Sequence, residues 1–511
     1  MRNRFIMMFF VTISITMSAF GAMAFTKESL VWKKCTSCHE AVGGKIAKVE
    51  EIRTTPEEWT VVVDRMSRLY GMDVSKAEMD QLLKELCATQ ILSPEELGKV
   101  SYLNLYNNPQ TVEQPVGQDQ EKMFAACVRC HSAGKILSYR MTDNRWVKLR
   151  EFHLYQVPTI LYQLREMNWM TESVAVLKTL AQSAPYGRAW QAPAASPAGA
   201  YLILGYETGK GNYRGRATVK ALGKDDYALS GALAYDDGTS ENFQGEATLY
   251  GGHALRTRLT NNGLKTYGAY AFTNGQLSGQ QHFPAPDFRT STSTWYPAKA
   301  KAKVLKVTPG YLLAGESSTL RLEGVALPEV KAGDVVFSDS SVEVVSAKNI
   351  GSEVIEVVAV YRGGGMKNAG IRLRGLNTLP VTLATQIDSI KIIPELGRGR
   401  IDGGKDFPPE GVQFEALAFA GDTLLGPVPA RFTLSAQHKR PNDDDLSFVG
   451  NITSSGKQIP SGSFAPIATR EFHKEATGLV NVEAEYSRGG RRYTAKAMLA
   501  VCLPDFVPRI K

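Results

Sequence analysis

Two different periods organise the chain. Up to about residue 190 the apolar side chains fall at helical spacing, and from Tyr201 onward they alternate with polar ones between frequent glycine turns. Residues 227–235 read as a strand closed by Asp236-Asp237-Gly238, and residues 242–250 as another closed by Gly251-Gly252. Asn261-Asn262-Gly263 and Thr273-Asn274-Gly275 punctuate the next ones. Hairpins this regular predict a small antiparallel barrel or sandwich, barrel-like, over 198–298. Shorter strands at 304–309, 318–322, 335–337, 342–345 and 354–360 suit an immunoglobulin-like sandwich over 299–385. Strands at 414–420, 430–435, 478–486 and 492–501 imply a second one over 386–511.

The helical region carries its own start signals. Thr55-Pro56-Glu57-Glu58 and Ser93-Pro94-Glu95-Glu96 are capping boxes with proline at the first helical position. Thr142 is an N-cap with Asp143 behind it, where the helix dipole favours an anion. An extended stretch is expected over 107–117, a closing helix over 171–182 and an Ala/Pro linker over 191–197. The predicted fold is multidomain α plus β: a helical domain at 25–190, in units of about 25–105 and 106–190, then three antiparallel β domains.

Composition changes this picture little. At 511 residues the chain is too long for one core, and its charged and apolar fractions are those of soluble globular proteins. The net charge of +8 is spread without a basic run, which argues against nucleic acid as a partner. The N-terminus reads as a secretory signal: Arg2 and Arg4, an apolar stretch from Ile6 to Phe20, then Ala22-Met23-Ala24. Residues 1–24 are therefore expected to be removed near Ala24, leaving a periplasmic protein. No other apolar stretch approaches the ~20 residues that cross a bilayer, so no stable membrane insertion is expected.

The cysteines bring in the chemistry. Four of the six lie in two copies of one motif, Cys35-Thr36-Ser37-Cys38-His39 and Cys127-Val128-Arg129-Cys130-His131. Two thiols three positions apart reach the two vinyl groups of one porphyrin, and the adjacent histidine is held under the iron. Two copies behind a leader, with no second Cys or His pair at zinc-finger spacing, point to two covalently bound c-type haems. Cys87 and Cys502 are expected to be buried free thiols.

The resemblance between the copies extends past the motif. Trp32 and Phe124 each precede the first cysteine by three residues, and Gly44-Lys45-Ile46 matches Gly134-Lys135-Ile136. Thr55 and Thr142 are each followed four residues later by a tryptophan, Trp59 and Trp146. Seven residues beyond stand Met66 and His153, on the same helical face as the indoles. Each helix can lay its indole beside a porphyrin and aim a ligand at the iron. The expected axial pairs are His39/Met66 and His131/His153. Met72 and Met79 compete for the first site, and Met141, Met167 and Met170 for the second. Methionine raises a haem potential and a second histidine lowers it, so electrons fall from the second site to the first unless burial and nearby charges reverse the order. Six-coordinate irons favour electron transfer over peroxide chemistry.

The β region shows no catalytic constellation. His253, His282, His438 and His473 read as surface or satisfied histidines, and Gly363-Gly364-Gly365 as a turn. No nucleophile elbow, metalloprotease motif or phosphate loop is present, so no catalytic residue is assigned and the β domains read as docking surfaces.

Leader, two c-haem units with a Trp-x6-ligand repeat, then three β domains: this order resembles the large α-subunit of quinohaemoprotein amine dehydrogenase. The resemblance implies a heterotrimer with a propeller β-subunit and a small γ-subunit. It implies that cysteine tryptophylquinone on the γ-subunit oxidises primary amines to aldehydes and ammonia. The dihaem cytochrome c subunit would then pass electrons to a soluble cytochrome c or cupredoxin. Alternatives are a free-standing dihaem cytochrome or peroxidase-like enzyme, and a binding protein with accessory haem.

Overall fold

The structure, a computed structural model, describes residues 25–100, 115–128, 132–163, 167–283, 289–401, 409–437, 445–455, 461–466 and 478–502. The expected leader, residues 107–114 of the expected extended stretch, and Cys130, His131, His438 and His473 lie outside the described residues.

Nine helices are described in the N-terminal domain: α1 Leu30–Cys35, α2 Pro56–Tyr70, α3 Lys76–Thr89, α4 Pro94–Leu97, α5 Gly117–Cys127, α6 Ala133–Leu137, α7 Asp143–Gln156, α8 Ile160–Gln163 and α9 Trp169–Ser183. Ser29, Thr55, Ser75, Ser93, Ser132 and Asn168 start six of them by accepting an amide of the first turn. The capping box at Ser93 closes as expected. The one expected at Thr55 is only half made: Thr55 accepts from the Glu58 amide, while the Glu58 carboxylate turns to Lys135 and Tyr139. Thr142 occupies the N-cap position of α7, yet its hydroxyl is buried without a hydrogen-bond partner among the described residues.

The repeat is real in three dimensions. In the first unit α1 and α2 pack on α3; in the second α5 and α7 pack on α9. Strands β3, Ile52–Arg53, and β4, Arg140–Met141, join the units antiparallel, with Arg53 opposite Arg140 and Ile52 opposite Met141. Each arginine stands two residues before its N-cap threonine, so like faces like across a local two-fold axis. Glu96 binds both, at 2.7 Å from Arg53 and 3.2 Å from Arg140. Burial works against its charge, but Arg53, the Ser93 amide and Arg140 hold the carboxyl at about 2. One sequence match is not a match of conformation. Lys45–Ile46 is strand β2, paired with β1, Ala41–Val42, around Gly43 and Gly44 at φ 59° and 79°. Gly134-Lys135-Ile136 is helical instead, because Ser132 caps α6.

Strands β5 Gly199–Glu207, β6 Gly211–Ala221, β7 Asp226–Tyr235, β8 Ser240–Tyr250, β9 Ala254–Asn261, β10 Leu264–Thr273, β11 Gln276–His282 and β12 Thr290–Pro297 close an antiparallel barrel, with β12 paired to β5. Tyr213, Phe243, Tyr270 and Trp295 fill its interior. Two further domains each pack two sheets over one core. Leu320, Val357, Ile371 and Leu383 make the first core, and Phe414, Ala416, Val480 and Leu499 the second. Cys87 is buried as expected, but Cys502 is exposed, because the last described strand ends there at a sheet surface.

The helical core runs on into the barrel: Tyr250 and Ala254 join the cluster containing Trp59, Leu86 and Trp146. Lys84 pairs with Asp226 at 2.6 Å, and Arg256 of β9 pairs with Glu57 at the start of α2. Among the described residues no helix is long and apolar enough to cross a membrane.

Candidate functional site

Helix α1 is fixed on α3 by Val31, fully buried, whose amide donates to Glu85 at 2.9 Å. It ends at Cys35, and the chain then turns tightly. The amides of Cys38 and His39 both donate to the Cys35 carbonyl, at 3.2 and 2.8 Å. Two thiols and an imidazole are thereby gathered in one turn. Cys35 is half-buried, and burial, with Cys38 and Glu85, pushes its thiol up to about 11. Cys38 is exposed. Burial holds the His39 imidazole below its ordinary value, and the cations of Lys48 and Arg145 add to this. Its Nδ1 is buried with no hydrogen-bond partner among the described residues. A histidine left without internal partners, beside two thiols, has the donor set that a c-type haem requires.

Met66 lies half-buried in the last turn of α2, and its carbonyl accepts from the Gly71 and Met72 amides. Gly71 ends the helix at φ 73°, a left-handed conformation that glycine adopts without strain. Met72 and Met79 pack against the helical core. The Asp73 carbonyl beside Met72 accepts from Lys34 at 2.7 Å, and Lys34 adjoins Cys35. This loop is therefore tied to the end of α1.

In the second unit Cys127 ends α5 and is half-buried. His153 lies on α7 with Nδ1 2.7 Å from the Leu149 carbonyl. Its ring leans on Trp169 at 6.1 Å, and the Trp169 indole donates to the Ala126 carbonyl at 3.0 Å, one residue before Cys127. The first turn of α9 thus bridges His153 to the end of α5. Burial, with the Arg65 cation, keeps this imidazole below its ordinary value.

The repeat tryptophans hold helices together. Trp59 donates to the Gln90 carbonyl at 2.8 Å, and Trp146 to the Ala184 carbonyl at 3.0 Å. Gln90 and Ala184 are the C-cap residues of α3 and α9, so the indoles lock α2 to the end of α3 and α7 to the end of α9. The sequence reading missed the residues between the units. Lys135 and Tyr139 donate to the buried Glu58 carboxylate at 3.0 and 2.6 Å. Arg145 stands 3.7 Å from Glu51. Their one signal was position, since Glu58 and Arg145 each precede a repeat tryptophan.

The barrel histidines divide. Both ring nitrogens of His253 lie 2.9 Å from carbonyl oxygens, those of Gly251 and Leu92, so it is satisfied as expected. His282 is neither exposed nor satisfied. It is half-buried, and its Nδ1 has no partner among the described residues, because burial on β11 offers it none.

A helical domain with the Cys35–His39 turn, followed by a barrel and two further β domains, has the donor set and layout of a haem-binding subunit. Three family profiles match in chain order: "Quinohemoprotein amine dehydrogenase A, alpha subunit, haem binding" over 25–190, alpha subunit domain II over 195–291, and domain IV over 390–510. The chain belongs to the quinohaemoprotein amine dehydrogenase alpha-subunit family. No curated protein matches. Similar solved structures include a redesigned β-barrel bound to DFHBI, 14% identical, covering 19% of this chain and 96% of that one with a TM-score of 0.18. Another is Drosophila N-cadherin EC1-3, 11% identical, covering 45% of this chain and 77% of that one with a TM-score of 0.20. Scores this low carry no functional argument.

Proposed function

We propose that this chain is the electron-transfer subunit of a periplasmic quinohaemoprotein amine dehydrogenase and holds two covalently bound c-type haems. Cys35, Cys38 and His39 would hold one, and Cys127, Cys130 and His131 the other. Met66 and His153 would each add a further iron ligand, with Trp59 and Trp146 setting their helices. Haem iron cycles between ferric and ferrous states, so the pair would carry electrons from a quinone on a small partner subunit. A soluble cytochrome or cupredoxin would receive them. A propeller subunit would complete the assembly. The carrying observation is the turn at Cys35–His39, recurring as sequence in a second unit of like helix packing.

The protein, matured in a host that attaches haem c, should contain two haems per chain by pyridine haemochrome assay. Replacing Cys127 and Cys130 with Ala should leave one. A colourless wild type, or two haems in the variant, contradicts the assignment.

Met72 has a specific observation in its favour, the tie from Lys34 to its loop. Met66→Ala should abolish the long-wavelength sulfur-to-iron band of the ferric protein. Survival of the band there, with its loss in Met72→Ala, transfers the ligand to Met72.

A further inference from the structure

Each unit ties the end of its first helix to the start of the helix packed on it, α1 to α3 and α5 to α9. In both, the tie is made by the residue directly before Cys35 or Cys127. In the second unit that residue is Ala126, whose carbonyl accepts from the Trp169 indole at 3.0 Å, and Trp169 opens α9. In the first it is Lys34. Its ammonium donates to the Asp73 carbonyl at 2.7 Å and pairs with the Glu78 carboxylate at 2.8 Å. Asp73 lies two residues before Ser75, the N-cap of α3, and Glu78 completes the capping box there by accepting from the Ser75 amide. One position in the repeat thus performs one task with two chemistries.

The two ties differ in their exposure to solvent. Trp169 is 5% exposed, and its bond to a carbonyl joins neutral groups. The Lys34 and Glu78 side chains are 22% and 33% exposed, so salt screens their attraction. The first tie also borders the methionines read above as iron ligands. Met72 directly precedes Asp73, and the Met66 carbonyl accepts from the Gly71 and Met72 amides. Both methionines are therefore bonded or adjacent to the segment that Lys34 holds.

We propose that Lys34 is a clamp that keeps the methionine sulfur on the iron of the first haem, and that high ionic strength loosens it. The proposal rests on the dihaem reading above and holds for Met66 and Met72 alike. Lys34 touches no substrate and acts through Asp73 and Glu78, and so is a positioning residue. Release of the methionine breaks the sulfur–iron bond with its electron pair returning to sulfur, and an incoming ligand supplies another pair.

The test is cyanide binding to the ferric, matured full chain. It is followed by bleaching of the sulfur-to-iron band, which reports the methionine site alone. At saturating cyanide the rate is that of sulfur release. A half-exposed ion pair with one added hydrogen bond shifts such a local opening by about fivefold. K34A should therefore bleach about fivefold faster than wild type at low salt. K34R should restore the wild-type rate. Raising the ionic strength from about 0.01 M to about 1 M shortens the screening length about tenfold, so it should speed wild type and leave K34A unmoved. E78Q keeps a side chain able to cap α3 but loses the anion, and its rate should fall between those of wild type and K34A. A K34A rate equal to that of wild type, or no recovery in K34R, overturns the proposal; so does a wild-type rate indifferent to salt. If K34A does not fold, E78Q and the salt series decide by the same criteria. A chain that carries no covalent haem, or whose ferric spectrum lacks the sulfur band, sinks the underlying reading instead, so the two failures are distinguishable.

Discussion

At the scale of single residues, the most perturbed carboxyl outside the helical domain is Glu415. It lies on the strand Val412–Ala420, 5% exposed, and accepts from the Tyr206 hydroxyl of β5. Burial pushes it from 4.5 up to about 7. The folded value exceeds the unfolded one, so the folded state binds the extra proton between those limits. This stability is complete below pH 4.5 and lost as pH rises to about 7. At ~1.4 kcal/mol per unit the loss is at most on the order of 3 kcal/mol. Glu415→Gln, neutral throughout, should melt higher than wild type at pH 8 and equally at pH 4.5; a lower melting temperature at pH 8 would show that the ionised form is needed. Residue-level legibility was uneven. Cys35, Cys38, Cys127 and Cys130, with Trp59, Trp146 and His153, stood out because a repeated motif and helical spacing mark them. Glu58, Arg145 and Lys135 did not, because their partners lie in the other unit and no local pattern announces a contact 77 positions away. The sequence also assigned the indoles to the porphyrin alone. It could not show that their N–H groups bind Gln90 and Ala184.

At the scale of elements, helix starts and barrel strands were readable because both obey short-range rules. Ser93 closes its box, and the glycine turns fall where the strands end. Thr55 and Thr142 depart from the rule where tertiary contacts compete: Glu58 finds the Lys135 ammonium, and Thr142 is bonded through its amide to the Glu51 carbonyl at 3.1 Å. The β8–β9 turn meets the helical domain at Gly251. Gly251 sits at φ 57°, and a Cβ there would lie 2.8 Å from both the Cys87 carbonyl oxygen and Ile91 Cγ2. Its own carbonyl accepts from the Trp190 indole at 2.8 Å. Gly251→Ala should cost about 2 kcal/mol from left-handed strain with the clash added. The effect should show as faster proteolysis of the linker at 191–197, with barrel circular dichroism unchanged. Cleavage at the wild-type rate would mean that the turn is not what holds the barrel to the helices.

At the scale of the whole molecule, the barrel is filled by its own aromatic side chains, Tyr213, Phe243, Tyr270 and Trp295 among them. Its contribution is to fix the helical domain, since Arg256 grips the start of α2 and Lys84 of α3 reaches Asp226. The seam between the helical units has a further consequence. Pairing of Arg53 with Arg140 about a local axis is an isologous contact, the kind made when two copies of one chain associate. A homodimer of a single module could form the same seam, but it would present identical residues before both tryptophans. A tandem within one polypeptide can place glutamate on one side and arginine on the other, so an asymmetric field is open to the fused pair and closed to its symmetric counterpart.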